Sequence, residues 1–331
     1  MLSFVYKKID YLRMKQLSIV VLVISIVIGI IIWIVQPALE LEMMGNVPTN
    51  LPTLIVALED NRVKQIHDYY ETIDQNYKVD ITIVVPAYNE EIRMPSMLDA
   101  TLDYLNTWSI ENNITFEILI VDDGSTDATL EVATNYMISN KDNIRVLKLL
   151  LNQGKGEAVK AGVLRSNGKY ILMADADGAT DIKALPKLYD SLKNVENDGL
   201  GVAIGSRAHL ENKAIATRAF YRTILMRGFH IAIMLLISRS IKDTQCGFKF
   251  FTRTAAKKLF SGLHLKRWAF DVELIYRAER FQIPMKEVAV NWQEIEGSKL
   301  IRTKFDIIKT SLSMARDMLC VRILYLLGYW K

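Results

Sequence analysis

From residue 81 onward the chain alternates short apolar runs with longer amphipathic stretches. "ITIVVP" (81–86) is β-branched and uninterrupted, as a strand buried on both faces requires. Residues 91–107 then set Met94, Leu98, Leu102 and Leu105 at helical spacing. The alternation continues with strands at "FEILIVD" (116–122), "IRVLKLL" (144–150), "YILMAD" (170–175) and "GVAIGS" (201–206). Helices at 127–138, 155–165 and 181–193 fall between them. Strands separated by helices predict an α/β fold with a mostly parallel central sheet, whose ligands bind outside the carboxyl ends of the strands. The polar clusters stand at those ends: 86–91, 122–127, 175–181 and 205–207.

Outside this region the pattern changes. "LSIVVLVISIVIGIIIWIV" (17–35) is apolar throughout and long enough to span a bilayer, which predicts an uncleaved anchor over 17–36 behind an N-terminal tail, 1–16. Residues 37–78 are mixed and carry Pro37, Pro48 and Pro52, so they read as a linker with one helix. A catalytic domain is expected over 79–300. Within it, 214–238 joins an apolar body to Arg218, Arg222 and Arg227, the pattern of a helix lying in a membrane interface or of a core-packing helix pair. Residues 301–331, ending "MLCVRILYLLGYWK", have the same character and read as amphipathic, membrane-proximal helices.

Charge and cysteine usage narrow the classes. A net charge of +4 points to no nucleic-acid partner, and two distant cysteines, Cys246 and Cys320, make no disulfide framework. Four scattered histidines form no zinc pattern. Lys7, Lys8, Arg13 and Lys15 precede the anchor while Glu40 and Glu42 follow it, which by the positive-inside rule puts the N-terminus in the cytosol and the main domain across the membrane.

The strongest chemical signal is "DADGATD" (175–181). Alternate residues of an extended segment point the same way, so Asp175 and Asp177 can converge on one divalent ion, while Asp181 suits a helix cap. "VDDGSTD" reads as an Asp-Gly turn with Ser125 or Thr126 capping the next helix, or as part of a nucleotide site. "NQGKGEAV" lacks the P-loop spacing, and Val159 breaks the dinucleotide fingerprint; it leaves a glycine turn with Lys155 near phosphate or ribose.

In combination, "VVPAYNEE", "VDDGSTD", "NQGKG", "DADGATD", "GSRAHLE", "DTQCGFKFF", "RWAFDVELIYRAE" and "VNWQEIEGSK" resemble glycosyltransferase family 2, and within it the enzymes that glucosylate dolichyl phosphate at the endoplasmic reticulum. The resemblance covers nearly all of 81–300. It implies a GT-A fold, a UDP-glucose donor, a dolichyl phosphate acceptor, Mg²⁺ or Mn²⁺, contact with reticulum membrane lipids and a cytosolic catalytic domain, against the flanking charges. It further implies that Pro86, Tyr88 and Glu90, with Asp122 or Asp123, hold the uridine, with Asn89 among the residues that bind the donor. Asp175 and Asp177 would sit at the metal and diphosphate, Lys155 and Lys299 at the donor, and Arg207, Arg218 and Arg222 at the acceptor phosphate. Ala179 stands where related mannosyltransferases carry a further metal ligand. Asp271 and Glu273 of "WAFDVEL" occupy the place of a base in relatives that act on hydroxyls, and Asp271 can instead orient the sugar or a nearby lysine. The alternatives are a transferase using another sugar nucleotide or a hydroxyl acceptor, and a catalytically dead scaffold.

Overall fold

A computed structural model describes residues 21–40, 53–59, 62–68, 77–210, 228, 230–295 and 304–331. The chain divides into two units, Met1–Gly45 and Asn46–Lys331. In the first, helix α1 (Val21–Glu40) has a mean hydropathy of 2.6 and is long and apolar enough to cross a membrane. Its residues from Val21 to Trp33 are exposed, as a helix made to meet lipid would be.

The second unit is built on a nine-stranded sheet of order β2-β1-β5-β4-β3-β6-β8-β7-β9. The four central strands, β5 (Ile144–Leu149), β4 (Phe116–Asp122), β3 (Val79–Ala87) and β6 (Gly168–Met173), run parallel. β4 is buried along its whole length, because helices cover both faces and no position can stay polar for water. These helices are α2 (Met94–Asn112), α3 (Thr129–Ser139), α4 (Lys155–Leu164) and α5 (Leu185–Val195). The chain adds β4 and β5 on one side of β3 and then β6 on the other. Strand order therefore reverses at β3/β6, and a crevice opens beyond their carboxyl ends.

Beyond β6, strand β8 (Lys249–Thr252) enters antiparallel, between β6 and β7 (Val202–Ser206), and β9 (Met285–Ala289) closes that side parallel to β7. Helices α6 (Arg253–Phe260), α7 (Phe270–Arg280) and α8 (Lys304–Leu326) complete the unit.

The expectation of a linker with one helix over 37–78 is corrected in part. Strands β1 (Thr53–Glu59) and β2 (Arg62–Asp68) form a hairpin, and β1 pairs antiparallel with β5. A strand edge left open at β5 exposes a row of unpaired backbone groups, and the hairpin covers it. Its pairing partner lies about ninety residues away, so local polarity hides the strand. The expected cap for α3 is also different. Asp127 Oδ1 accepts the Thr129 N–H at 3.0 Å and Glu91 accepts that of Ala128 at 3.0 Å, while Ser125 is turned toward β3. Asp181 caps as expected, accepting the Lys183 N–H at 3.0 Å.

Candidate active site

Three strand ends meet in the crevice. At the end of β3 the backbone of Asn89 turns through the left-handed region, φ 56°, which asparagine tolerates better than most residues. The turn is tied to the loop after β4: Ser125 Oγ accepts the Asn89 N–H at 3.0 Å, and Asn89 Oδ1 accepts the Thr126 N–H at 2.9 Å. Asn89 is thus consumed in joining two loops and lies off the cavity wall, where Pro86, Tyr88 and Glu90 remain. Glu90 receives the Arg93 Nε–H at 2.7 Å, and Arg93 Nη1 reaches Asp177 Oδ2 at 3.7 Å. Burial nonetheless holds the Glu90 carboxyl above its ordinary range.

Of the two aspartates at the end of β4, Asp123 faces the cavity and Asp122 is buried off its wall. Asp122 Oδ1 accepts the Ser125 N–H at 3.2 Å, a turn-closing role. Asp123 accepts the N–H groups of Gln153 at 2.7 Å and Gly154 at 2.9 Å, the donors leading into α4. Gly154 sits at φ 97°, a backbone region that side chains rarely adopt. Burial pushes Asp123 up to about 6, although both N–H groups pull the other way.

At the end of β6, Asp175 and Asp177 stand on the wall of the same cavity, of about 390 Å³, with Lys155, Arg93, Arg267 and Trp268. Lys155 Nζ lies 2.5 Å from Asp175 Oδ1 and 5.8 Å from the centre of the Trp268 ring. Burial works against the charge on Asp175, but Lys155, Lys249 and Arg207 outweigh it and hold the carboxyl below its usual range. Burial likewise opposes the Lys155 ammonium, and Asp175, Asp271 and Asp177 overcome it. The residue beneath Asp175 is Gly247: a Cβ there would fall 2.1 Å from Asp175 Oδ2. The space that lets this carboxylate take its position is therefore made by a glycine.

Asp271 is not on the cavity wall. The buried start of α7 turns it onto Lys249, Nζ to Oδ1 2.5 Å, where Lys249 is 1% exposed and also donates to the Cys246 carbonyl at 2.6 Å. The contact with a lysine is one of the three placements the sequence left open to it, and burial raises its pKa despite the two lysines nearby. Glu273 is wholly buried, is bonded to the Leu265 N–H and likewise lies off the cavity wall. Arg207 is forked onto Asp243, Nε–Oδ2 2.8 Å and Nη2–Oδ1 2.9 Å, with its guanidinium 5.4 Å from the Trp292 ring centre. Arg218, Arg222 and Lys299 lie outside the described residues. Sequence reasoning overlooked Gly247, Arg93, Arg267 and Trp268, although "CGFKFF" and "RW" were visible as motif pieces.

For a divalent ion the fit rests on donor chemistry and room. Asp175 and Asp177 offer hard oxygen donors at alternate positions, and Gly247 keeps the space beside Asp175 free of a side chain. Among the described residues no cluster of three His, Cys, Asp or Glu could hold a metal; Ala179 has no side-chain ligand atom, its N–H goes to Asp177 Oδ1 at 3.0 Å and its carbonyl accepts the Gln293 N–H at 2.9 Å. Two protein carboxylates completed by substrate oxygens and water is the arrangement these residues permit.

Strand order, crevice and paired aspartates together define a transferase of the sugar-nucleotide class, and residues 82–260 match the model of Glycosyl transferase family 2, so the chain belongs to that family. The fold is shared with glucosyl-3-phosphoglycerate synthase from Mycobacterium tuberculosis in complex with UDP, at TM-score 0.50 and 18% identity over 74% of this chain and 80% of that one. Within the family the chain stands among the dolichyl-phosphate β-glucosyltransferases. It is 50% identical to that of Drosophila melanogaster (79% of this chain, 80% of the relative) and 48% identical to that of Dictyostelium discoideum (80% and 81%). The Homo sapiens enzyme of the same name is 48% identical over 76% of this chain and 77% of its own length.

Proposed function

We propose that the crevice takes UDP-glucose with Mg²⁺ or Mn²⁺ and that the chain transfers the glucose, with inversion, to dolichyl phosphate, giving the lipid-linked glucose used in N-glycan precursor assembly at the endoplasmic reticulum. The observation that carries this reading is the convergence of Asp175 and Asp177 with the β3 end, Pro86 and Tyr88, in one cavity at the strand-order switch. The names of the relatives support the donor sugar and the acceptor.

Each residue then has a physical task. Tyr88, with Pro86, gives the base a flat wall, and Asp123 offers an acceptor to its N–H. Lys155 and Arg267 lie where the diphosphate would run and meet it as cations. Asp175 and Asp177 would hold the divalent ion, whose chemistry is to neutralise the charge of the departing UDP. Lys155, and after it Lys249, which is fixed by Asp271, keep Asp175 ionised for that purpose. The acceptor phosphate is already an anion at neutral pH, with a second pKa of about 6. It needs cations rather than a base, and the burial of Asp271 on Lys249 agrees with an acceptor of that kind. Arg207 keeps its remaining N–H groups for the incoming phosphate, with Arg218 and Arg222 as further candidates.

Incubating the purified chain in lipid with radiolabelled UDP-glucose, UDP-N-acetylglucosamine or GDP-mannose, dolichyl phosphate and Mn²⁺ tests the reading. Label enters lipid from UDP-glucose alone, chelator stops it, and Asp175→Asn or Asp177→Asn lowers transfer about a thousandfold, roughly 4 kcal/mol of lost charge stabilisation. Unchanged transfer in both variants would overturn it.

A further inference from the structure

The glycines of "NQGKG" are not explained by phosphate contact. A Cβ at Gly154 would fall 2.8 Å from the Lys266 carbonyl oxygen, and one at Gly156 would fall 2.7 Å from that of Leu265. Both glycines therefore exist to let residues 265–267 lie directly against the start of α4. The seat is fixed by a backbone hydrogen bond, Glu157 N–H to the Lys266 carbonyl at 3.1 Å. The next two side chains of that loop, Arg267 and Trp268, are on the cavity wall, and Trp268 remains 44% exposed there.

The other side of the loop is gripped by Glu273. This carboxylate is 0% exposed and would be costly to bury without partners. It accepts the Leu265 N–H at 2.7 Å, the His264 N–H at 3.1 Å, a contact from His264 Nδ1 at 2.8 Å and the Tyr325 hydroxyl at 2.8 Å. Tyr325 belongs to α8 and accepts from Arg277 Nη1 at 2.7 Å. Just past α8, Trp330 lies flat on the His264 ring, centroids 4.2 Å apart. A continuous path of contacts thus runs from the end of α8 through Tyr325, Glu273 and the 264–266 backbone to α4, whose first residue is Lys155.

We propose that Glu273 is a positioning residue for the donor site: it holds the 264–268 loop so that Arg267 and Trp268 meet the sugar nucleotide, and through Tyr325 it makes that placement depend on the docking of α8. The proposal rests on the cavity being the sugar-nucleotide site. Its test is UDP-glucose binding by calorimetry with Mn²⁺, alongside donor kinetics per folded enzyme, for Glu273→Gln, Tyr325→Phe, Trp268→Ala and the Glu273→Gln/Trp268→Ala pair. In Glu273→Gln one amide replaces an oxygen and confronts a backbone donor. Donor Kd and KM rise about tenfold while kcat changes less than about threefold, and Tyr325→Phe, which loses one donor, gives about a threefold rise. On top of Trp268→Ala, Glu273→Gln adds less than about twofold, because both act through one wall. A fall in melting temperature with donor Kd and KM unmoved in Tyr325→Phe, or full additivity in the pair, would overturn the proposal. If Glu273→Gln does not fold, Tyr325→Phe decides. Binding needs no acceptor, so a wild-type chain that binds UDP-glucose yet forms no glucolipid counts against the transfer reading and leaves the clamp testable.

Discussion

Gly247 and Asp175 act as one unit. Alanine at 247 drives its methyl into the carboxylate, and something must shift. Gly247→Ala is expected to fold with nearly wild-type stability yet lose about a hundredfold in turnover, since a misplaced ligand group of about an ångström carries that cost. Melting temperature and kcat measured on one preparation check it. Asp123 gives a second handle. Its carboxyl titrates near 6, above the ordinary range, so acidification through pH 6 replaces an acceptor by a neutral group. UDP affinity should fall as pH drops from 7.5 to 5, and Asp123→Asn should bind more weakly at pH 7.5 but with a flatter profile; titration calorimetry at several pH values reads both. The paired aspartates were legible as a motif at a strand end, but the extended geometry expected of them gives way to a turn: Ala176 and Asp177 form its corner and the Gly178 N–H reaches the Asp175 carbonyl at 3.4 Å. Gly247 and Trp268 were not legible, because their meaning comes from segments about seventy and ninety residues away from Asp175. Asn89 lies off the cavity wall for a local reason: its Oδ1 bridges two loops.

At the level of elements, Arg207 and Asp243 join the end of β7 to the segment before β8. Burial opposes the Asp243 charge, but two side-chain hydrogen bonds and the charge of Arg207, with a third bond from its backbone N–H, win and depress its pKa. A depressed carboxylate stabilises the fold above its unfolded pKa, 3.8, and that stability is lost as pH falls through the lower folded value. Asp243→Asn should therefore cost about 2 kcal/mol at pH 7, and the difference from wild type should vanish in the acid range. Denaturant melts from pH 7 to 3 measure it. The parallel strands were readable as apolar runs bounded by turns. The β1–β2 hairpin and the four-residue β8 were not, being held by distant pairing rather than by their own pattern.

Across the whole molecule, helix α1 is apolar and long enough to cross a membrane, and the proposed donor is a cytosolic metabolite. The flanking charges favour the other orientation. Residue Asn113 of the acceptor motif Asn113-Ile-Thr115 is exposed in the left-handed conformation, and the Thr115 hydroxyl donates to Asp80 at 2.7 Å. A cytosolic catalytic unit would leave Asn113 unmodified and let protease added to sealed microsomes remove the C-terminal region. A glycan on Asn113 would reverse the topology.

The strand order also governs how the molecule is made. β3, β4, β5 and β6 are encoded without interruption between Val79 and Met173, so these neighbours can pair while the ribosome is still adding the rest of the sheet. β8 and Gly247 arrive some seventy residues later. The half proposed to hold the base is thus made first, and Asp175 meets Gly247 only once the late strand pairs beside β6.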